Sequence, residues 1–121
     1  MIRGVRGAIT VQSNTEEEIA ASAELLLKKM IDENSIAPED VASVFISATD
    51  DIDQGFPAKA MRTLEGWKHV PVMCMREMAV QDALPLCIRV MIHTNTEKSQ
   101  QEISHVYLGG AVVLRPDLEK K

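Results

Sequence analysis

Three arginines lie inside segments that otherwise have the composition of buried β-strands. Arg6, Arg89 and Arg115 each interrupt or end a run of aliphatic residues. An arginine keeps its positive charge in a protein, so its burial is costly unless an anion pairs with it. A sheet built from these segments must therefore offer the guanidinium groups an anion. Because no buried carboxylate accompanies each arginine in the sequence, the pattern predicts a pocket for an anionic small molecule.

The composition predicts one domain over residues 1–121. Hydrophobic residues make up 45% of the chain and aromatic residues only 3%, so the core must be aliphatic. The net charge of -5 argues against a nucleic-acid partner. No apolar run approaches the ~20 residues that span a bilayer, and the first residues lack a signal-peptide pattern. We therefore expect no membrane association and a cytoplasmic location.

Strand-like and helix-like segments alternate along the chain. Residues 2–11 are rich in β-forming residues and predict a strand. A capping box of Thr15 and Glu18 opens an amphipathic helix that is predicted to end near Asn34. The other predictions are a short helical turn at 38–40, strands at 41–48, 70–75 and 86–94, and a last strand-like segment at 111–114.

A second helix is predicted between the second and third strands. Pro57 suits its first position, and Gly66 is expected just past its end. Strands interleaved with two helices predict an α/β or α+β fold, with one sheet and helices packed on one of its faces. The other face would then be open, and an oligomer that packs sheets against each other would bury it.

The strand at 86–94 separates a core face from a polar face. Alternation directs Ile88 and Val90 one way and Arg89 the other, which places Arg89 in a cleft or subunit interface. Glu77 follows an apolar run and is expected to be partly buried, where it could bind a substrate hydroxyl or complement positive charge. A purely structural ion pair between Arg89 and Glu77 is the competing interpretation.

Several other residues are candidates for ligand contact. Tyr107 is the only tyrosine, and a buried phenol would need a ligand carboxylate or a backbone carbonyl as its partner. Lys59 and Arg62 are three residues apart and could form a cationic rim, although solvated helix charges are the more common case. Cys74 lacks a positioned base and is interpreted as a pocket wall rather than a nucleophile.

We predict neither a metal site nor a cofactor. The histidines have no ligand spacing. The aspartates of residues 49–53 resemble a calcium loop only loosely, since the glycine and the distal glutamate of such a loop are missing. No nucleophile with a base, no glycine-rich phosphate loop and no pair of carboxylates stands out. These residues suit anion binding and charge stabilisation.

Four motifs together resemble one enzyme family. They are Arg3-Gly4-Val5-Arg6-Gly7-Ala8-Ile9-Thr10-Val11, Phe56-Pro57-Ala58-Lys59-Ala60, Cys87-Ile88-Arg89-Val90, and His105-Val106-Tyr107-Leu108 with Ala111-Val112-Val113-Leu114-Arg115-Pro116-Asp117-Leu118. In order and over the whole chain, they resemble the monofunctional bacterial chorismate mutases of the trimeric type. The resemblance implies an α+β homotrimer with a central pseudo-β-barrel and active sites between subunits. It also implies an isomerase that converts chorismate to prephenate for phenylalanine and tyrosine synthesis.

The resemblance further implies a role for each candidate residue. Arg89 would face the breaking ether bond, Arg6 and Tyr107 would hold a carboxylate, and Glu77 and Cys74 would bind the ring hydroxyl. No covalent intermediate and no acid–base step is implied. The remaining implied contacts are the apolar walls Phe56, Ala58, Val72 and Leu114, the cationic rim Lys59, Arg62 and Arg115, and Met73 beside Cys74.

Four residues at three places depart from the family pattern. Met73 replaces a usual threonine, Gly109-Gly110 replaces bulkier residues, and Ser99 replaces a usual proline. None of them removes a charged group, so they bear on turnover and on the ordering of the tail rather than on identity. The alternative from another class is a trimeric small-molecule binding module without catalysis.

Overall fold

The computed structural model describes residues 1–114, which form one mixed sheet with a long helix. Arg115 and the residues after it lie outside the described part. No helix in residues 1–114 is long and apolar enough to cross a membrane. The strands are β1 (Ile2–Thr10), β2 (Val41–Ala48), β3 (Val72–Arg76), β4 (Cys87–Asn95) and β5 (Val106–Leu108), the α-helix is α1 (Glu16–Asn34), and the 3-10 helices are Pro38–Asp40, Pro57–Thr63, Gln100–Glu102 and Gly109–Leu114.

The ends of α1 lie where the sequence predicted them. The Thr15 hydroxyl accepts a hydrogen bond from the backbone N–H of Glu18, 3.2 Å away. Glutamates fill the first turn, where negative charge complements the helix dipole. The helix ends at Asn34 because Ser35 adopts the left-handed conformation, with φ at 51°. The apolar residues buried along one stripe of the helix are Ile19, Ala23, Leu26, Leu27 and Met30.

The sheet has the order β3-β2-β4-β1-β5. Strand β4 lies at its centre and pairs antiparallel with β1 and with β2. The outer pairs, β1 with β5 and β2 with β3, are parallel. The prediction of a mixed sheet with helices is therefore confirmed, and the four predicted strands from 2–11 to 86–94 match β1 to β4 to within two residues.

Alternation divides the sheet into a core face and an open face. On the core face, Val5, Ile88 and Ile92 are completely buried against α1. Gly7 lies on the same face, where a Cβ atom would overlap Met30 Sδ, so glycine lets the helix approach the sheet. On the open face, polar and apolar side chains are mixed: Arg89 is exposed, Arg6 and Met91 are partly exposed, and Ala8 is buried.

The predicted second helix is a seven-residue 3-10 helix, Pro57–Thr63. Pro57 occupies the first position as expected, but the helix is capped at Leu64, before Gly66. Its buried residues are Pro57, Ala60 and Met61, and the capping residue Leu64 is buried as well. These intervals of three and four positions suit an α-helix equally well, so the spacing of the buried residues does not explain the tighter 3-10 turn.

The prediction of a strand at 111–114 was wrong. The last strand of the described part is β5, and the chain then turns into the 3-10 helix Gly109–Leu114. Gly109 permits the turn because its φ is +59°. This helix packs on the open face, where Ala111 and Ala8 are buried together. The prediction that helices cover one face therefore holds for α1 but not for this segment.

Candidate active site

Two arginines and the tyrosine meet in a groove on the open face. This open-face groove has a volume of about 320 Å³, and its lining includes Arg6, Arg89, Tyr107, Ser47 and Leu114. The strand pairing brings these side chains together, because Ala8 of β1 is paired with Arg89 on one side and Tyr107 on the other. A small side chain at that position leaves space between the longer ones. The predicted anion pocket thus has two of its three arginines side by side.

The arginines are less buried in the single chain than their strand context predicted. The Arg89 side chain is 47% exposed, and Arg6 is partly exposed. The reason is that alternation directs both side chains away from α1, onto a face that the single chain covers only in part. Exposed guanidinium groups can stay hydrated, so the cost of their charge arises only when something covers the groove.

Glu77 lies beside Arg89 but is held by another residue. Its Oε1 accepts a hydrogen bond from the Ser47 hydroxyl at 2.6 Å. The distance from Arg89 Nε to the same oxygen is 3.9 Å, which is longer than a hydrogen bond. The Glu77 side chain is 25% exposed, so it is partly buried as predicted. Loose, partly exposed pairs of this kind contribute little to stability, which weakens the purely structural interpretation.

Most of the remaining candidates line a second groove along the edge of the sheet. This edge groove has a volume of about 780 Å³ and is lined by Phe56, Ala58, Lys59, Arg62, Val72 and Cys74, together with Trp67 and Lys68. Lys59 Nζ lies 3.3 Å from Glu16 Oε2, so the lysine has a partner in the chain. Phe56 is 68% exposed. The side chains of this groove are mostly apolar, with cations at the rim.

The structure does not bring all the predicted residues into one pocket. Because side chains alternate along β3, Val72 and Cys74 belong to the edge groove, whereas Met75 lines the open-face groove. Met73 is 61% exposed and lines neither groove. Arg115 lies outside the described residues. A ligand that touches both sets must therefore bind where something joins the two grooves.

The thiols are not activated. Partial burial raises the pKa of the Cys74 thiol, with a smaller opposing effect of a hydrogen bond to the Ala58 backbone. Burial also raises the pKa of the Cys87 thiol, and the nearby Arg89 offsets part of that rise. A raised pKa keeps a thiol protonated at neutral pH and therefore weakly nucleophilic. This supports the interpretation of Cys74 as a pocket wall.

The loop aspartates hold the backbone. The Asp51 carboxylate accepts hydrogen bonds from Leu86 N at 3.0 and 3.1 Å. Asp53 Oδ1 accepts a hydrogen bond from the Asn14 side chain at 2.7 Å. That bond is the largest reason why the pKa of Asp53 is lowered. These contacts join the loop to the start of β4 and to the start of α1.

Comparison with known proteins identifies the family of this chain. Residues 2–118 match the family described as chorismate mutase type I. The chain belongs to this chorismate mutase family. Chorismate mutase AroH of Bacillus subtilis strain 168 is 55% identical over 118 residues, which cover 98% of this chain and 93% of that protein.

Two further relatives agree. Chorismate mutase AroH of Thermus thermophilus is 45% identical over 120 residues, which cover 98% of both chains. The solved structure of the chorismate mutase from Clostridium thermocellum has a TM-score of 0.88 at 45% identity. That match covers 92% of this chain and 98% of the other. The resemblance seen in the four sequence motifs is therefore confirmed.

Two features of this mutase-family site escaped the sequence analysis. Ser47 donates its hydroxyl to Glu77 and is paired with Arg89 in the sheet, and its position next to buried Ile46 could have placed it on the open face. The Thr10 hydroxyl accepts a hydrogen bond from Gly110 N at 2.9 Å. A Cβ atom on Gly109 would lie 2.8 Å from the same oxygen, so the glycine pair fits closely around Thr10. Ser47 is distant in sequence from Glu77, and Thr10 is distant from Gly110, so local sequence patterns do not predict either contact.

Proposed function

We propose that this protein is a chorismate mutase that converts chorismate to prephenate in aromatic amino acid biosynthesis. The family match over residues 2–118 supports this proposal most strongly. The open-face groove adds chemical support, because Arg6, Arg89 and Tyr107 offer several hydrogen-bond donors to an anion with two carboxylates.

The reaction is a Claisen rearrangement within one molecule. The ether C–O bond breaks while a new C–C bond forms, so electrons redistribute around a ring of six atoms and no proton or nucleophile is exchanged. As the C–O bond breaks, negative charge develops on the oxygen and positive charge on the ring. A site for this chemistry needs fixed charges rather than a base, and the unactivated thiol of Cys74 is compatible with that.

Arg89 is the residue proposed to stabilise the developing negative charge. It projects from β4, the central strand of the sheet, so its backbone is fixed from both sides. A charge that needs no reorganisation could contribute ~4 kcal/mol in a site that excludes water. Glu77 lies 3.9 Å away and is proposed to face the positive charge of the ring and its hydroxyl.

The other candidates are proposed to bind and shape the substrate. Arg6 and Tyr107 would hold one carboxylate from the open face. The edge groove would supply apolar walls that favour the reactive conformer, with cations at its rim. The proposed wall residues are Phe56, Ala58 and Val72 of the edge groove and Leu114 of the open-face groove. The proposed rim residues are Lys59, Arg62 and Arg115. Cys74 and Met73 are the proposed contacts from β3.

We further propose a homotrimer in which the open-face groove of one subunit meets the edge groove of the next. The division of the candidate residues between two grooves supports this arrangement. The edge strand β3 supports it as well, since all five of its residues are exposed and most are apolar. An apolar edge strand favours association with another chain. Phe45 and Met75 add exposed apolar surface on the open face.

The experiment that tests the function follows the ultraviolet absorbance of chorismate with purified protein and no added metal or cofactor. We expect saturable loss of chorismate and stoichiometric formation of prephenate. Size-exclusion chromatography with light scattering on the same sample should give three times the mass of 13.4 kDa. A folded trimer that binds chorismate without converting it would refute the proposed activity and favour a binding module.

A further inference from the structure

The Ser47 hydroxyl has a single side-chain partner in the part of the chain that the structure describes, and that partner is Glu77. The hydroxyl lies 2.6 Å from Glu77 Oε1, a short distance typical of hydrogen bonds to an ionised carboxylate. Both side chains are partly buried. The backbone adds a second connection, because Glu77 N donates to Ala48 O at 2.9 Å. Glu77 is therefore attached to the end of β2 by its main chain and by its carboxylate.

The register places Ser47 next to the arginine of the proposed mechanism as well. Ser47 of β2 is directly paired with Arg89 of β4, and its other neighbour is Met75 of β3. The backbone of Ser47 thus lies between Arg89 and the strand that leads to Glu77. The oxygen that accepts its hydrogen bond is the one that faces Arg89 at 3.9 Å.

We propose that Ser47 is a positioning residue that keeps Glu77 from pairing closely with Arg89. This inference rests on the proposed mutase function. Arginine offers five N–H donors and favours a close two-bond pair with a carboxylate when one is within reach. The Ser47 hydroxyl donates to Oε1 and thereby holds the carboxylate too far from the guanidinium for that pair.

The separation of Glu77 from Arg89 matters because the proposed mechanism uses the charges of both side chains. A close Arg89–Glu77 pair would direct the guanidinium toward the protein carboxylate and away from the ether oxygen. It would also neutralise the positive charge that binds a dianion. Held apart by Ser47, the two groups can face the two oppositely charged parts of the same transition state.

Ser47→Ala is the direct test, and Ser47→Thr is the conservative variant, since threonine keeps the hydroxyl and suits a strand. We expect kcat/KM for chorismate to fall about tenfold in Ser47→Ala, the effect of one lost hydrogen bond to a charged group, and to change less than about twofold in Ser47→Thr. The matched control is Ser43→Ala. Ser43 is on the same strand and contacts His93 Nδ1 at 3.3 Å, so it should leave activity unchanged.

A double-mutant cycle separates positioning from a structural effect. If Ser47 acts through Glu77, Ser47→Ala should reduce kcat/KM less than about twofold in a Glu77→Gln background. A tenfold loss that persists in that background would overturn the proposal, as would full activity of Ser47→Ala alone. Thermal unfolding of each variant checks that the fold is intact.

Crystal structures of the variants give a second measurement that does not depend on activity. In Ser47→Ala, the distance between Glu77 and Arg89 should contract from 3.9 Å to about 2.8 Å. In Ser47→Thr it should not change. An unchanged distance in Ser47→Ala would overturn the positioning role. Failure of the unmodified protein to convert chorismate would instead refute the proposed function, and the distance would still decide whether Ser47 separates the pair.

Discussion

The open-face groove and the edge groove are built from different kinds of structure. The open-face groove takes Arg6 and Arg89 from β1 and β4, which are hydrogen-bonded to other strands on both sides. The edge groove takes its lining from β3, which is paired on one side only, and from the short Pro57–Thr63 helix. One groove therefore holds its arginines on the centre of the sheet, and the other places apolar walls and a cationic rim at its margin.

The difference matches the two requirements of an electrostatic enzyme. Charges that stabilise a transition state must be fixed before the reaction starts, and central strands fix them. Surfaces that select a substrate conformation need area and shape more than rigidity, and the edge groove is larger, at about 780 Å³ against 320 Å³. Neither groove alone contains all the predicted contacts, which is the basis of the proposal that two subunits complete each site.

The largest effect is expected from the open-face groove. Arg89→Ala should lower kcat by roughly three orders of magnitude, because ~4 kcal/mol of transition-state stabilisation would be lost. Steady-state kinetics with chorismate measure the loss. Arg3→Ala is the matched control, since Arg3 is on the same sheet, lies outside the groove, and donates to Lys98 O at 3.1 Å. An equal loss of kcat in the two variants would contradict the special role given to the charges of the open-face groove, because Arg3 lies outside it.

An intermediate effect is expected at the turn that carries Leu114 into the open-face groove. Gly109→Ala should lower the free energy of unfolding by about 2 kcal/mol, since the new Cβ meets Thr10 at a positive φ. It should also raise KM, because the segment that follows would shift. Gly66→Ala provides the control for stability, since Gly66 has a φ of +87° and lies outside the open-face groove. That variant should also lose stability in urea unfolding, but its KM should rise less than that of Gly109→Ala because Leu114 would stay in place.

The smallest effect is expected at the rim of the edge groove. Lys59→Ala should raise KM about threefold and leave kcat unchanged, because an exposed charge attracts the dianion but does not act on the breaking bond. The salt dependence of kcat/KM should weaken in parallel. Glu16→Gln frees Lys59 from its 3.3 Å ion pair and should not raise KM. A fall in kcat rather than a rise in KM would place Lys59 with the catalytic charges instead.

The sequence was sufficient for the features that repeat locally. Thr15 was enough to predict the start of α1, and the alternation of residue types along β4 was enough to separate buried Ile88 from Arg89. The four motifs were sufficient for the family. Local patterns succeed here because each depends on residues within a few positions of one another.

The features that the sequence did not predict depend on contacts between distant segments. The Pro57–Thr63 segment is helical as predicted, but it forms a 3-10 helix that packs against α1, which is distant in sequence. The hydrogen bond from Ser47 to Glu77 spans 30 residues and depends on the pairing of β2 with β3. The division of the site into two grooves follows from the alternation of β3 at the edge of the sheet, and the strand order alone makes β3 an edge.

Subunit complementation is the most direct test of whether each site is formed by two grooves from different chains. One variant carries Arg89→Ala, and the other carries Lys59→Glu with Arg62→Glu, which reverses the charge of the edge-groove rim. Both should be nearly inactive as pure trimers. After mixed refolding, roughly a quarter of the sites should combine two intact grooves and regain activity.

The matched control mixes Arg89→Ala with Glu77→Gln. Both changes lie in the same half of the site, 3.9 Å apart within one chain, so mixing should restore nothing. We expect activity to recover in the first mixture and not in the second. No recovery in the first mixture, from trimers shown by mass spectrometry to contain both variants, would contradict this expectation and would place each complete site within a single chain.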